Sequence, residues 1–275
     1  MSGFLDEMAA VSAQRVAEAR HRESFDALER RARGAPPPPP LRLSKGGFDV
    51  IAEIKLRSPA AGVLGESGDD WLGRAAQYAH AGAAAVSVLT EQTRFDGSLD
   101  HLRAVAARLA PLGVPAMRKD FLVDAYQVLE ARACGAGGVL LILRMLPRAQ
   151  IAQLLDVSAE QGLFVLLEAF DADDLALAAQ LLRGRDAGRT AILVGVNCRN
   201  LQTLQVMPQR FAELAARLPP GWPAVAESGV AGAMDAGEVA RLGYRVALIG
   251  TALMACADPA ALVGEILRTA RTAGP

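Results

Sequence analysis

Only three of the 29 basic residues in this chain are lysines, and two of them, Lys55 and Lys119, close short apolar runs. Glu53, Glu168, Asn197 and Glu227 stand at the ends of such runs as well, and both asparagines of the chain, Asn197 and Asn200, fall within one Asn-Cys-Arg-Asn stretch. In a chain that otherwise uses arginine, a compact ammonium that is readily perturbed and gives up its proton does work that a guanidinium cannot. Ammonium groups beside carboxylates are the parts of a general acid–base site, in which each group sets the pKa of the other. Glu53 and Lys55 are two apart, so a strand points both to one face and puts Ala52 and Ile54 on the other.

A second set of residues suits phosphate. Glu227-Ser228-Gly229 follows one apolar run and Gly250-Thr251 the next, where backbone N–H groups at a strand-to-helix junction bind anions. Gly229 and Gly250 also suit plain tight turns, and both readings stand at this level. His21, His80 and His101 fall in helical segments away from the run ends and read as surface residues, so no metal site is assigned. Cys198 alternates with Asn197 and reads as a buried thiol. Asp171, Asp173 and Asp174 read as solvated carboxylates at a helix start.

These groups need elements that bring them together. Apolar runs rich in Val, Ile and Leu alternate with segments of helical period, which places strands at 50–55, 84–89, 114–119, 138–143, 163–168, 192–197, 223–227 and 246–250. Eight strands buried on both faces, within 275 residues, predict an α/β fold, a (β/α)8 barrel with its chemistry at the C-terminal strand ends. An open doubly wound sheet is the alternative, but no GxGxxG follows the first strand. Before the barrel, Phe4, Leu5, Met8, Val11, Val16, Phe25 and Leu28 recur at helical spacing up to about Arg33. Residues 36–40, all proline, read as a stiff connector. The division is therefore 1–45, helical extension and connector, and 46–275, barrel, in a single domain overall.

Composition removes other classes. A formal charge of −1 leaves no basic excess for nucleic acid or anionic lipid. The most apolar run, 139–143, is far short of the ~20 residues that cross a bilayer, and Met1 to Ala10 carries Asp6 and Glu7 rather than a leader's basic-then-apolar order. Three widely spaced cysteines make no disulfide framework. A cytoplasmic monomer acting on a small molecule is expected.

The chain resembles the indole-3-glycerol-phosphate synthase family. The likeness runs in order through Ile51-Ala-Glu-Ile-Lys55, Ser58-Pro59, Ser87-Val-Leu-Thr-Glu91, Phe95, Gly97-Ser98, Lys119-Asp-Phe121, Gln127, Leu140-Leu-Ile142, Glu168, Asn197, Arg199, Leu201, Glu227-Ser-Gly229 and Ile249-Gly250. The resemblance implies an N-terminal helical extension packed over the barrel mouth and a reaction that needs no metal or organic cofactor. The implied substrate is 1-(2-carboxyphenylamino)-1-deoxyribulose 5-phosphate, a phosphosugar–anthranilate. It would close its ring and lose CO2 and water to give indole-3-glycerol phosphate. Lys119 would be the acid for ring closure and Lys55 would hold the carboxylate and serve in dehydration, the two acid roles being left undivided. Glu168 would be the base, Glu53 would orient the lysines, and Asn197 and Glu227 would bond substrate hydroxyls or amine. Ser58, Arg199, Ser228, Gly229, Gly250 and Thr251 would bind substrate or phosphate. Phe95, Phe121, Leu140 and Leu201 would contact the anthranilate ring or simply pack the core. A paralogue acting on a related phosphosugar and a silent binding protein are the alternatives; a phosphoribosylanthranilate isomerase would carry Cys and Asp where Glu53 and Asn197 stand. The sequence departs from the family pattern at Leu56-Arg57, Ala60-Ala61, Cys198, Asn200 and Thr251, and at Gly137, where Asp is common.

Overall fold

The computed structural model describes residues 3–58, 62–63, 70–186 and 191–274, without the side chains of Ser58 and Val63. Eight parallel strands close on themselves: β1 (Asp49–Ile54), β2 (Ala85–Leu89), β3 (Ala116–Lys119), β4 (Gly138–Ile142), β5 (Phe164–Ala169), β6 (Ile192–Asn197), β7 (Ala224–Glu227) and β8 (Val246–Ile249). β1 pairs with both β2 and β8, which completes the barrel. All eight predicted strands are present within a residue or two.

Alternation along each strand sorts the side chains into two cores. Outward residues such as Val50, Ala52, Ile54, Val139, Leu141, Val194 and Val196 pack under the helices. Inward residues, among them Ile51, Met117, Leu140, Phe164, Leu166, Leu193, Val225 and Leu248, fill the barrel interior. Five strands end their inward series in a polar group, Glu53, Lys119, Glu168, Asn197 and Glu227.

The N-terminal segment forms α1 (Phe4–Arg22) and α2 (Phe25–Gly34), and Ser24 caps the second through Ala27 N at 3.3 Å. Met8 of α1 is buried with the inner core, and Phe4, Leu5 and Val11 pack against it, so α1 lies over the mouth. Further along the extension, Val16 and Ala19 of α1 and Leu28 and Ala32 of α2 form a separate core with Tyr126 and Leu129.

The proline run forms neither helix nor strand. Arg132 donates to the carbonyls of Ala35 (2.7 Å) and Pro36 (3.0 Å), fixing its start. Its passage accounts for Gly137: a Cβ there would stand 2.6 Å from Pro115 Cβ and 3.0 Å from Pro39 O. The missing side chain leaves room for the connector beneath β4.

One expectation is corrected. Asp174 is not solvated but buried, accepting from Phe170 N (2.7 Å) and Arg144 Nε (2.8 Å). Asp171 alone caps the helix Ala172–Leu182, accepting from the N–H groups of Asp173 and Asp174.

Gly137→Asp should lower stability by about 1–3 kcal/mol through this overpacking, seen as a lower midpoint of urea unfolding with barrel activity retained at low denaturant.

Candidate active site

A cavity of about 420 Å³ opens at the C-terminal ends of the strands, between the barrel and α1. Every site residue expected from the sequence lines it except Ser58, whose side chain lies outside the described residues, as does most of the loop that follows. The register explains the gathering. Glu168 pairs with Gly195, and Asn197, one inward position further on, pairs with Glu227, so the polar ends of three adjacent strands lie within one inward position of each other.

Within the mouth, Lys55 Nζ sits 3.0 Å from Glu53 Oε1, and Lys119 Nζ lies 4.0 Å from Glu168 Oε2. Burial disfavours the charged form of each group, but neighbouring charges decide the outcome. Burial raises the Glu53 carboxyl, yet Lys55 and Lys119 outweigh it and hold the group below the usual carboxylate range. Burial pushes Lys119 down, yet Glu168, Glu53 and Glu227 outweigh it and keep the ammonium above the ordinary lysine value. Glu227 goes the other way: burial, reinforced by the Glu168 carboxylate, lifts it well above its ordinary value against the pull of Lys119. No donor from any other described residue reaches either Glu227 oxygen or Glu168 Oε2, and the two carboxyls lie within hydrogen-bonding reach of each other. A buried acceptor without a donor is costly, so the proton that Glu227 retains is shared with the neighbouring Glu168 carboxylate.

Two glycines make the arrangement possible. A Cβ on Gly195 would stand 2.0 Å from Glu227 Oε1, and one on Gly250 would stand 2.3 Å from Glu53 Oε1 and 2.9 Å from Lys55 Nζ. Gly250 therefore has a use that neither sequence reading named: it leaves space for the Glu53–Lys55 pair. Gly229 is equally confined, with Cys198 Sγ at 2.5 Å and Phe211 at 2.6 Å from a built Cβ. Cys198 is the buried thiol expected, raised by burial to about 11. Ser228, between these elements, takes φ +69°, a left-handed conformation that costs a non-glycine residue on the order of 1 kcal/mol.

The β6–helix loop is ordered by its own polar groups. Asn197 Oδ1 accepts from Arg199 N at 2.9 Å, and the Arg199 guanidinium donates to Leu204 O at 2.8 Å. Phe95, Phe121 and Leu140, with Leu201 of the same loop, form the apolar wall, the rings of Phe95 and Phe121 lying 6.3 Å apart.

Sequence reasoning missed several lining residues. Phe4 and Leu5 were visible only as the apolar face of a helix needing a partner; Phe4 packs edge-on to Phe121 at 5.8 Å. Leu204, held at φ +61°, and Asp120 carried no separable signal. Of the histidines, His21 and His80 are exposed, but His101 is half-buried against Trp71, ring centroids 5.1 Å apart, which lowers its pKa by burial. Among the described residues no cluster of three or more His, Cys, Asp or Glu is disposed to hold a metal ion, and no helix is long and apolar enough to cross a membrane.

A closed parallel barrel whose C-terminal mouth gathers two ammonium groups and three carboxylates over an apolar wall defines a (β/α)8-barrel enzyme of the general acid–base kind. The family model for indole-3-glycerol phosphate synthase matches residues 5–266, and the chain belongs to that family. It is 44% identical over 251 residues to the indole-3-glycerol phosphate synthase of Parafrankia sp. (strain EAN1pec), covering 90% of this chain and 89% of the relative. Indole-3-glycerol phosphate synthase 1 of Streptomyces coelicolor is 40% identical over 254 residues, covering 92% and 90%. Among solved structures, 3-hexulose-6-phosphate synthase from Salmonella typhimurium superposes with a TM-score of 0.61 over 82% of this chain and all of its own. Thiamine phosphate pyrophosphorylase from Pyrococcus furiosus gives 0.59 over 82% and 96%. Both are 14% identical to this chain and share its fold.

Glu227 raised in the folded state binds its proton more tightly there than in the unfolded chain, so its contribution to stability falls as pH rises from the ordinary carboxylate range towards the raised value. Glu227→Gln should therefore raise the urea midpoint at pH 8 and leave it nearly unchanged near pH 4.5.

Proposed function

We propose that this chain catalyses the carboxy-lyase reaction its family is named for, converting 1-(2-carboxyphenylamino)-1-deoxyribulose 5-phosphate to indole-3-glycerol phosphate, a step of tryptophan biosynthesis. The observation that carries the assignment of roles is the opposition of Lys119 and Glu168, 4.0 Å apart at the cavity floor, with the Glu227 carboxyl as the other neighbour of Glu168.

The ring carbon that bears the carboxylate attacks the ketose carbonyl, a bond forms between them, and negative charge grows on the carbonyl oxygen. Lys119, kept protonated by its carboxylate neighbours, stabilises that oxygen and delivers a proton to it. Decarboxylation then returns the electron pair of the C–CO2 bond to the ring. Loss of the hydroxyl as water and of a ring-adjacent proton completes the aromatic system, with Glu168 as the base. Lys55 is more firmly engaged than Lys119, at 3.0 Å from Glu53. That favours Lys55 as the fixed cation for the substrate carboxylate and as the acid of dehydration, with Glu53 orienting it.

Glu227 in its protonated form donates to a substrate hydroxyl or accepts from the amine after proton loss, and Asn197 serves the same part of the substrate. The phosphate is assigned to Ser228-Gly229 and Gly250-Thr251 with help from Arg199, and Ser58 adds a hydroxyl from the first loop. Phe95, Phe121, Leu140 and Leu201 hold the anthranilate ring against the carbonyl, which removes much of the orientational cost of the first step. A catalytically silent relative would have lost polar groups from the mouth, and here they are present.

The test follows indole fluorescence when the purified chain meets the synthetic substrate in EDTA. A signal that scales with enzyme is expected. Lys119→Met and Glu168→Gln should each lower turnover by at least ~10²-fold while binding of a phosphate-bearing ligand persists. Near-normal turnover in both variants would overturn the assignment.

A further inference from the structure

The backbone on both sides of Lys119 is fixed by a buried ionic network that the reaction as described does not use. Arg118 and Asp120 flank the lysine and bond to each other, Arg118 Nη2 donating to Asp120 Oδ2 at 3.0 Å. The Asp120 carboxylate also accepts from Thr90 Oγ1 (2.8 Å), from its neighbour Phe121 N (2.8 Å), and from both Nη1 (3.1 Å) and Nη2 (2.7 Å) of Arg15 in α1. Arg118 in turn donates to Glu130 Oε2 (3.0 Å), Gln127 O (2.8 Å) and Thr90 Oγ1 (3.2 Å). Two guanidinium groups and two carboxylates thus balance. Burial works against the Asp120 carboxylate, but Arg118 and Arg15 prevail and bring its pKa down to about 2.

A second tie from α1 lands one residue further on. Ser12 Oγ donates to the carbonyl of Phe121 and accepts from Gln127 Nε2 (2.8 Å), whose Oε1 accepts from Val123 N (2.7 Å). Beyond it, Arg20 Nη2 meets Asp124 at 2.8 Å. The N-terminal helix is therefore bonded to the segment that begins immediately after Lys119 and carries the Phe121 ring, and three of these ties end on Asp120 or Phe121.

Stability alone is a poor reason for such a network, because desolvating several charges consumes most of what their attraction returns and apolar side chains of like volume serve as well. What a forked, bidentate ion pair supplies is direction. We infer that Arg15 and Asp120 are positioning residues for Lys119: α1 acts as a splint that sets the backbone at residues 118–121 and so aims the Lys119 ammonium at the oxygen on which charge develops. Arg15 and Arg118 do not themselves line the cavity. The inference rests on the reading of Lys119 as the acid, and it makes the extension part of the catalytic geometry besides a cover for the mouth.

The experiment compares Arg15→Met, Arg15→Lys and Asp120→Asn in the full chain, with Lys119→Met as the reference. Turnover and KM are measured per folded enzyme, alongside the Cε signals of protein labelled with carbon-13 lysine, where only Lys45, Lys55 and Lys119 contribute. Arg15 is partly exposed, with 19% of its side chain accessible, so Arg15→Met keeps the fold. It should lower kcat roughly tenfold and change KM less than about threefold, in line with a misplaced acid and intact binding. The Lys119 signal should shift while that of Lys45 stays. Arg15→Lys, which keeps the charge and loses the fork, should recover part of the rate. Asp120→Asn should lower kcat similarly, and combined with Arg15→Met should cost less than the two separate losses multiplied together. A variant that merely melts earlier, with kcat and the Lys119 signal unchanged, would overturn the splint. Normal turnover in Lys119→Met would remove the acid assignment itself, an outcome read from a different protein.

Discussion

Closure of the parallel barrel is the constraint from which the rest follows. Each strand has neighbours on both sides and points alternate residues inward, so the last inward residues of all eight strands share one small space. The apolar layer beneath, with Met117, Leu166, Leu193 and Val225 among its members, keeps water from entering below. Charges placed above it are desolvated from one side and interact more strongly than they would in bulk water. On the reading proposed here the acid–base set works through that proximity. It is also why α1 must cross the mouth: Phe4, Leu5 and Met8 gain an apolar partner and the charged groups lose solvent from the other side.

Crowding at the mouth is relieved by backbone that carries no side chain. Gly195 and Gly250 lie against the carboxylates of Glu227 and Glu53, and no Cβ fits at either position without moving a charged group. This is a different use of glycine from the phosphate cradle, and one residue serves both on the reading proposed here: Gly250 opens its backbone to the ligand on one side and its empty Cβ position to the Glu53–Lys55 pair on the other. Departures from the family pattern separate along similar lines. Cys198 takes an outward, buried position and leaves the face of Asn197 unchanged. Gly137 answers to the path of the proline connector rather than to the site. Thr251 lines the cavity, and Ala60-Ala61 lie outside the described residues.

The strands and the site were legible in the sequence for a single reason: period-two alternation that ends in a polar residue announces both the strand and its mouth. Glu53, Lys119, Glu168, Asn197 and Glu227 could be found that way without any partner being known. What was not legible depends on contacts between distant segments. Asp174 looked like one more helix-start carboxylate, because nothing near it in sequence reveals that Arg144 would fold over it. Phe4 and Leu5 were seen to need a partner, but the helix period does not say which surface it is. Arg15 was one arginine among 26, and its bond to Asp120, 105 residues away, has no local trace. Leu204 takes a positive φ without a glycine to mark it.

Two kinds of buried carboxylate meet at Lys119, and the contrast between them is itself informative. Asp120 has five donors on its two oxygens and no capacity left over; a group so satisfied is rigid, and it belongs to the frame. Glu168 and Glu227 are equally buried, but three of their oxygens receive no donor from any other described residue and have only each other's carboxyl in reach; groups so short of donors are costly in the free protein and gain hydrogen bonds when something with donors enters. The backbone of Lys119 is tied to the first kind and its ammonium to the second. In the role proposed for it as proton donor, Lys119 needs both: a fixed origin, so that its reach is set, and an unsatisfied neighbourhood, so that substrate completes it. Had all three acids been satisfied, the barrel would be more stable and the lysine would have no reason to turn towards a ligand. With none of them satisfied, its position would not be defined. The division between Asp120 on one side and Glu168 with Glu227 on the other is thus the physical form that the compromise between stability and function takes in this chain.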